Sequence, residues 1–120
     1  LVEKVTNYTG TEISKNVPKS YKRLMTSEEA SQLKEYMAAV VNEGTGMMLA
    51  GQSYSAAGKT GTAEYSMVDG EKTHSWYMGF TNVENPELVI SVIVEGADGQ
   101  DGAKAVPIAK QVLDAYYYGG

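Results

Sequence analysis

The chain contains no cysteine. That excludes disulfides, thiolate metal sites and a cysteine nucleophile. A single histidine puts a two-histidine metal site out of reach and would leave a Ser-His-Asp triad hanging on one residue. Basic residues are in the minority, ten Lys and Arg against fifteen Asp and Glu, for a net charge of −5. Nucleic acid as a partner is therefore set aside, because it wants a basic stripe. No apolar run reaches the ~18 residues of a membrane span. The opening Leu-Val-Glu-Lys carries charge where a secretory signal carries an apolar core, and the missing initiator Met hints at a piece of a longer protein. What is present is 120 residues, 42% of them hydrophobic. That suffices for one domain, or one lobe of a larger one, with a modest core that needs no staple.

Residues 1–25 read as an extended, polar opening segment. Short strands at 2–5 and 12–14 flank a Tyr8-Thr9-Gly10 turn, and Asn16-Val17-Pro18 ends them. Thr26 and Glu29 form a capping box that starts a helix over 27–43. Leu33, Tyr36, Met37, Val40 and Val41 give it an apolar stripe, and Gly44 and Gly46 stop it. Strands follow at 55–66, 73–81 and 88–94. Asp69-Gly70 supplies the first turn, and residues 82–86 supply the second. An acidic loop (96–102) leads to a helix over 103–118, with Val106, Ala109, Val112, Leu113 and Tyr116 on one face. Pro107 moves its regular start nearer 106. The fold class is α+β: a three-stranded antiparallel meander between two helices, α-β-β-β-α over 26–118. Trp76, Met78 and Phe80 alternate on one face of their strand and read as core. A hairpin centred on Asp69-Gly70 sets His74 opposite Glu64 or Tyr65. The most apolar strand, 88–94, falls at an edge. Such edges associate, so the sheet is expected to continue with strands outside this chain, and the chain alone is expected to self-associate there.

Residues 58–64 read Gly-Lys-Thr-Gly-Thr-Ala-Glu. On a strand, Lys59 and Gly61 share one face and Thr60 and Thr62 the other. One cation, two hydroxyls and a residue without a side chain suit an extended, carboxylate-bearing peptide laid along an edge. By itself the tripeptide Lys-Thr-Gly is a weak signal and reads first as a plain surface strand with a solvated lysine. A P-loop is rejected, because Ser53 stands where its first glycine belongs and Gly-Thr opens no helix. Glu95, Asp98 and Asp101 lack the spacing of a calcium loop and read as solvated. Tyr116-Tyr117-Tyr118 reads as a helix end with one ring packed and the others exposed.

The order of features is a helix, Gly-Thr-Gly (44–46), Ala-Gly-Lys-Thr-Gly-Thr-Ala (57–63), His-Ser-Trp-Tyr-Met-Gly-Phe (74–80), an apolar strand and Ala-Val-Pro-Ile-Ala (105–109). It resembles the C-terminal part of the transpeptidase domain of penicillin-binding proteins, most like the monofunctional class B members. That family uses Ser-x-x-Lys, Ser-x-Asn and Lys-Thr/Ser-Gly. Only the third stands here in its place. Ser31-Gln-Leu-Lys34 and Ser14-Lys15-Asn16 match the other two in the wrong order and context, and read as ordinary polar positions. The resemblance implies one lobe of a serine acyl-enzyme transpeptidase, inactive alone. Lys59 would assist proton movement, and Thr60 and Thr62 would hold the substrate's terminal carboxylate. Gly61 would let the strand lie flat against substrate, and the Thr62 N–H would donate to the oxyanion. His74 is expected to pack or to hydrogen-bond near the turn. The implied partners are a peptidoglycan stem peptide, β-lactams and the rest of the domain, at the extracytoplasmic face of a bacterial membrane, with no cofactor and no metal. The alternatives are a lobe of a serine β-lactamase or β-lactam sensor, or a non-catalytic peptide-binding module.

Overall fold

A computed structural model describes residues 2–17, 19–66, 72–97 and 104–119. Strands β1 (Lys4–Thr6) and β2 (Glu12–Lys15) form an antiparallel hairpin. Asn7 closes it, its side-chain oxygen accepting from the Thr9 and Thr11 amides at 3.0 and 2.9 Å. Every residue of both strands is exposed, so local hydrogen bonding rather than burial shapes this hairpin. The expected turn at 67–71, and the acidic loop from residue 98 to 102, lie outside the described residues.

Helix α1 spans Ser27–Asn42. Its capping box is complete: the Glu29 amide donates to the Thr26 hydroxyl at 3.2 Å, and the Thr26 amide donates to the Glu29 carboxylate at 2.7 Å. Two of the helix's orphan amides are thereby satisfied. Only part of the expected stripe is covered. Val41 is buried and Met37 and Val40 are half-buried, while Leu33 and Tyr36 face outward. A single 3-10 turn, Met47–Leu49, then carries the chain toward the sheet.

The sheet is an antiparallel meander of β3 (Ala56–Ser66), β4 (Lys72–Thr81) and β5 (Val89–Val94), in the order β3-β4-β5. Helix α2 (Ala105–Tyr118) covers one face, burying Val106, Ala109 and Leu113. Burial of each of the two larger side chains contributes about 1.5–3 kcal/mol. Val112 and Tyr116, expected on the same stripe, are exposed. Pro107 falls in the first turn, where its missing N–H costs nothing. No side chain caps this helix from within, and the Ala105 amide donates instead to the Ser75 hydroxyl on β4 at 3.2 Å. Gly119 ends the helix in the left-handed conformation.

Two expectations about β4 need correction. Trp76 and Met78 are not core, being 39% and 58% exposed, and Phe80 is only half-buried. They do share a face, but it is the face away from α2. The covered face presents Thr73, Ser75, Tyr77, Gly79 and Thr81. Alternation shows which residues go together, not which set a helix will cover. Second, His74 pairs with Ala63, while Glu64 pairs with Thr73, because an irregularity between Glu64 and Ser66 shifts the register.

The far end of α2 is tied down by tyrosines. Tyr54 stacks on Tyr117 with ring centroids 4.6 Å apart and donates to Asp114 at 2.9 Å. Burial, with the Asp114 carboxylate beside it, pushes the Tyr54 hydroxyl's pKa well up. The Lys110 ammonium, assisted by the Tyr54 hydroxyl, holds Asp114 below the ordinary carboxylate range. Among the described residues, no helix is long and apolar enough to cross a membrane.

Candidate active site

The motif Lys59-Thr60-Gly61-Thr62 lies in the middle of β3, an outer strand of the sheet. Alternation places Lys59 and Gly61 on the face away from α2, beside Trp76 and Met78 of β4. A shallow cleft of about 390 Å³ opens there, bounded by Lys59, Thr60, Gly61, Trp76, Met78 and Ser91. Lys59 and Thr62 are exposed, and Gly61 is half-exposed. The Lys59 ammonium donates to the Thr60 carbonyl.

Thr60 occupies the covered face and retains 8% of its surface. Its hydroxyl lies 2.7 Å from that of Thr45, in the turn that follows α1. The Gly44–Gly46 sequence marked only a helix stop and a step in the motif order, so Thr45 was not among the candidate residues. Its partner is 15 positions away, beyond the reach of any local pattern.

The glycines of this region answer to different demands. A Cβ on Gly58 would stand 2.4 Å from the Tyr77 hydroxyl, and one on Gly79 would stand 2.5 Å from it. Both are small because the Tyr77 ring lies across them. That hydroxyl is wholly buried and finds no hydrogen-bond partner among the described residues. Burial raises its pKa to about 12. A Cβ on Gly61 would meet only the Trp76 Cβ, at an ordinary 3.6 Å. Internal packing therefore does not require glycine at 61.

His74 shares the Lys59 face but sits four residues farther along the sheet, roughly 13 Å at strand rise. Its ring stacks on Tyr65 with centroids 4.1 Å apart, and its Nδ1 accepts from the Gly96 amide at 3.3 Å. It packs and hydrogen-bonds the hairpin to the end of β5, and is not brought to Lys59. Ser31 is exposed on α1 and Ser14 on β2, in separate elements from the motif. Among the described residues, no three His, Asp or Glu gather as metal ligands would.

An antiparallel sheet with Lys-Thr-Gly on an outer strand and a C-terminal helix across one face makes an α+β fold of the transpeptidase-like kind, the fold of its solved structural neighbours. Residues 1–114 match the family model of the penicillin binding protein transpeptidase domain. The chain is 34% identical over 101 residues to the peptidoglycan D,D-transpeptidase MrdA of Haemophilus influenzae, covering 73% of this chain and 15% of that protein. It is 33% identical over 113 residues to the peptidoglycan D,D-transpeptidase PbpA of Mycolicibacterium smegmatis, covering 86% and 22%. The imipenem acyl-enzyme of penicillin-binding protein A from M. tuberculosis superposes with a TM-score of 0.68 at 28% identity, over 95% of this chain and 25% of that one. The chain thus belongs to the penicillin-binding protein transpeptidase family, on its class B side. It spans 15% to 22% of the length of these two relatives.

Proposed function

We propose that residues 1–120 form the C-terminal lobe of a peptidoglycan D,D-transpeptidase that acts outside the cytoplasmic membrane, its nucleophile supplied by another part of a longer protein. The observation that carries this is the placement of Lys59 to Thr62 on an outer strand, with the Gly61 face open for a reason other than packing. In the proposed reaction, a serine hydroxyl attacks the penultimate D-Ala carbonyl of a stem peptide. The ester forms, the amide C–N bond breaks, and terminal D-Ala leaves carrying the serine proton. An amine of a neighbouring stem then attacks the ester, forms the cross-linking amide and restores the serine. Lys59 contributes positive charge beside the reacting groups and assists the proton's passage to the leaving nitrogen. Thr60 and Thr62 take the substrate's terminal carboxylate, and the Thr62 N–H takes one side of the oxyanion, a donation worth ~3 kcal/mol in comparable sites. A β-lactam carboxylate would use the same hydroxyls.

Fluorescent penicillin tests this directly. The 120-residue chain should take no covalent label, whereas the longer transpeptidase should label on a serine outside residues 1–120. Lys59→Ala in that longer protein should slow acylation by at least tenfold with little change in melting temperature. Stable labelling of the short chain, or normal acylation of Lys59→Ala, would overturn the assignment.

A further inference from the structure

The turn after α1 presents one side chain between two crowded backbone positions. A Cβ on Gly44 would stand 3.0 Å from the Val40 carbonyl oxygen, and one on Gly46 would stand 3.1 Å from that oxygen and 3.2 Å from Val41 Cγ2. The chain folds so closely onto the helix end that a side chain at either position would be tight. The fold-back is fixed by the Glu43 amide donating to Ala39 and the Gly46 amide donating to Val40, each at 2.9 Å. Thr45 is carried on this turn, and α1 packs along β3. The outcome is a single hydroxyl 2.7 Å from Thr60 Oγ1.

On the reading of β3 as the edge that takes the substrate carboxylate, we propose that Thr45 is a positioning residue. It donates its hydroxyl proton to Thr60 Oγ1 and so turns the Thr60 proton outward, toward the anion. A threonine hydroxyl has one proton and two acceptor sites, and a carboxylate only accepts. Thr60 serves the anion only as a donor, and the Thr45–Thr60 bond is compatible with that in one direction alone. Two hydroxyls donating in the same sense polarise one another, which strengthens the outward bond. Thr60 keeps 8% of its surface, whereas Thr45 is exposed. Without the Thr45 hydroxyl, the Thr60 proton is free to rotate to another acceptor.

The test uses the longer transpeptidase with two probes, benzylpenicillin and its methyl ester. Thr45→Val should reduce the acylation rate constant for benzylpenicillin about tenfold, the scale of one hydrogen bond to a charged group. It should leave the slower reaction with the ester unchanged, and Thr45→Ser should restore the rate. In a Thr60→Val background, Thr45→Val should cost nothing more, because the two hydroxyls act in series. An equal loss with both probes would show that Thr45 is merely structural and would overturn the proposal. So would an unchanged rate with benzylpenicillin, or a full further loss in the Thr60→Val background. Failure of the unsubstituted protein to acylate at all would instead remove the transpeptidase assignment, and this proposal with it.

Discussion

Gly58 and Gly61 stand three positions apart on one strand and meet opposite surroundings. Gly58 makes room for Tyr77, whose hydroxyl lies 2.4 Å from where its Cβ would be. That contact is with a fully buried ring and has no flexible partner to absorb it. Gly58→Ala should therefore destabilise the fold by at least about 2 kcal/mol, the scale of overpacking in a tight core. Gly61→Ala meets only an ordinary contact at 3.6 Å and should leave the unfolding midpoint almost unchanged. Its effect should fall on acylation of the longer protein, since a methyl there stands between strand and ligand. Denaturant titration of both variants, beside their acylation rates, separates the two roles. A large stability loss in Gly61→Ala would assign that glycine to packing. The sequence pointed to Gly61 alone and gave Gly58 no role, because the ring that lies over Gly58 is not a local property.

The elements differ in how much of each was written locally. The cap of α1 is formed within four residues, Thr26 to Glu29, and was legible for that reason. The cap of α2 was not, because its first amide is met by Ser75 from β4, 30 positions away in the chain. The end of α2 depends on Asp114, held by Lys110 one helical turn earlier and by Tyr54. With its carboxyl depressed in the folded state, first by Lys110 and then by Tyr54, Asp114 stabilises the fold above its unfolded pKa. That contribution is lost as the pH falls through the lower folded value. Lys110→Met should raise the Asp114 pKa and shrink the acid-dependent part of stability. NMR titration of the Asp114 carboxyl would read the shift directly. An unchanged titration would mean that the ion pair does not hold in solution.

At the scale of the whole molecule, α2 covers one face of the sheet, while the other is covered at Ala57 and left open toward Trp76, Met78 and β5. Trp76, Met78, Val89 and Ile93 lie on the open face, at 39%, 58%, 87% and 42% exposure. Among the described residues, strand β5 pairs with β4 alone, although its sequence, Val-Ile-Ser-Val-Ile-Val, is that of a strand covered on both faces. An apolar outer strand beside an open apolar face is a template for pairing. The 120-residue chain should accordingly show a mass that rises with concentration in light scattering. Lysines replacing Val89 and Ile93 together should return it toward the monomer. A concentration-independent monomer would show that the outer edge of β5 does not associate.

By itself the sequence determined the elements, their order and the edge motif, because capping residues, strand alternation and glycine stops act over a few neighbours. The α+β meander, the bounds of its strands to within a residue or two, and the shared face of Lys59 and Gly61 all follow from such local rules. Only the tertiary structure decided which face of β4 became the interior, since α2 could lie across either and chose the one holding Tyr77. It also decided the register that sets His74 opposite Ala63, and the meeting of Thr45 with Thr60. Each of these brings together residues far apart in the chain, and such meetings are settled by packing free energy rather than by any pattern within one segment.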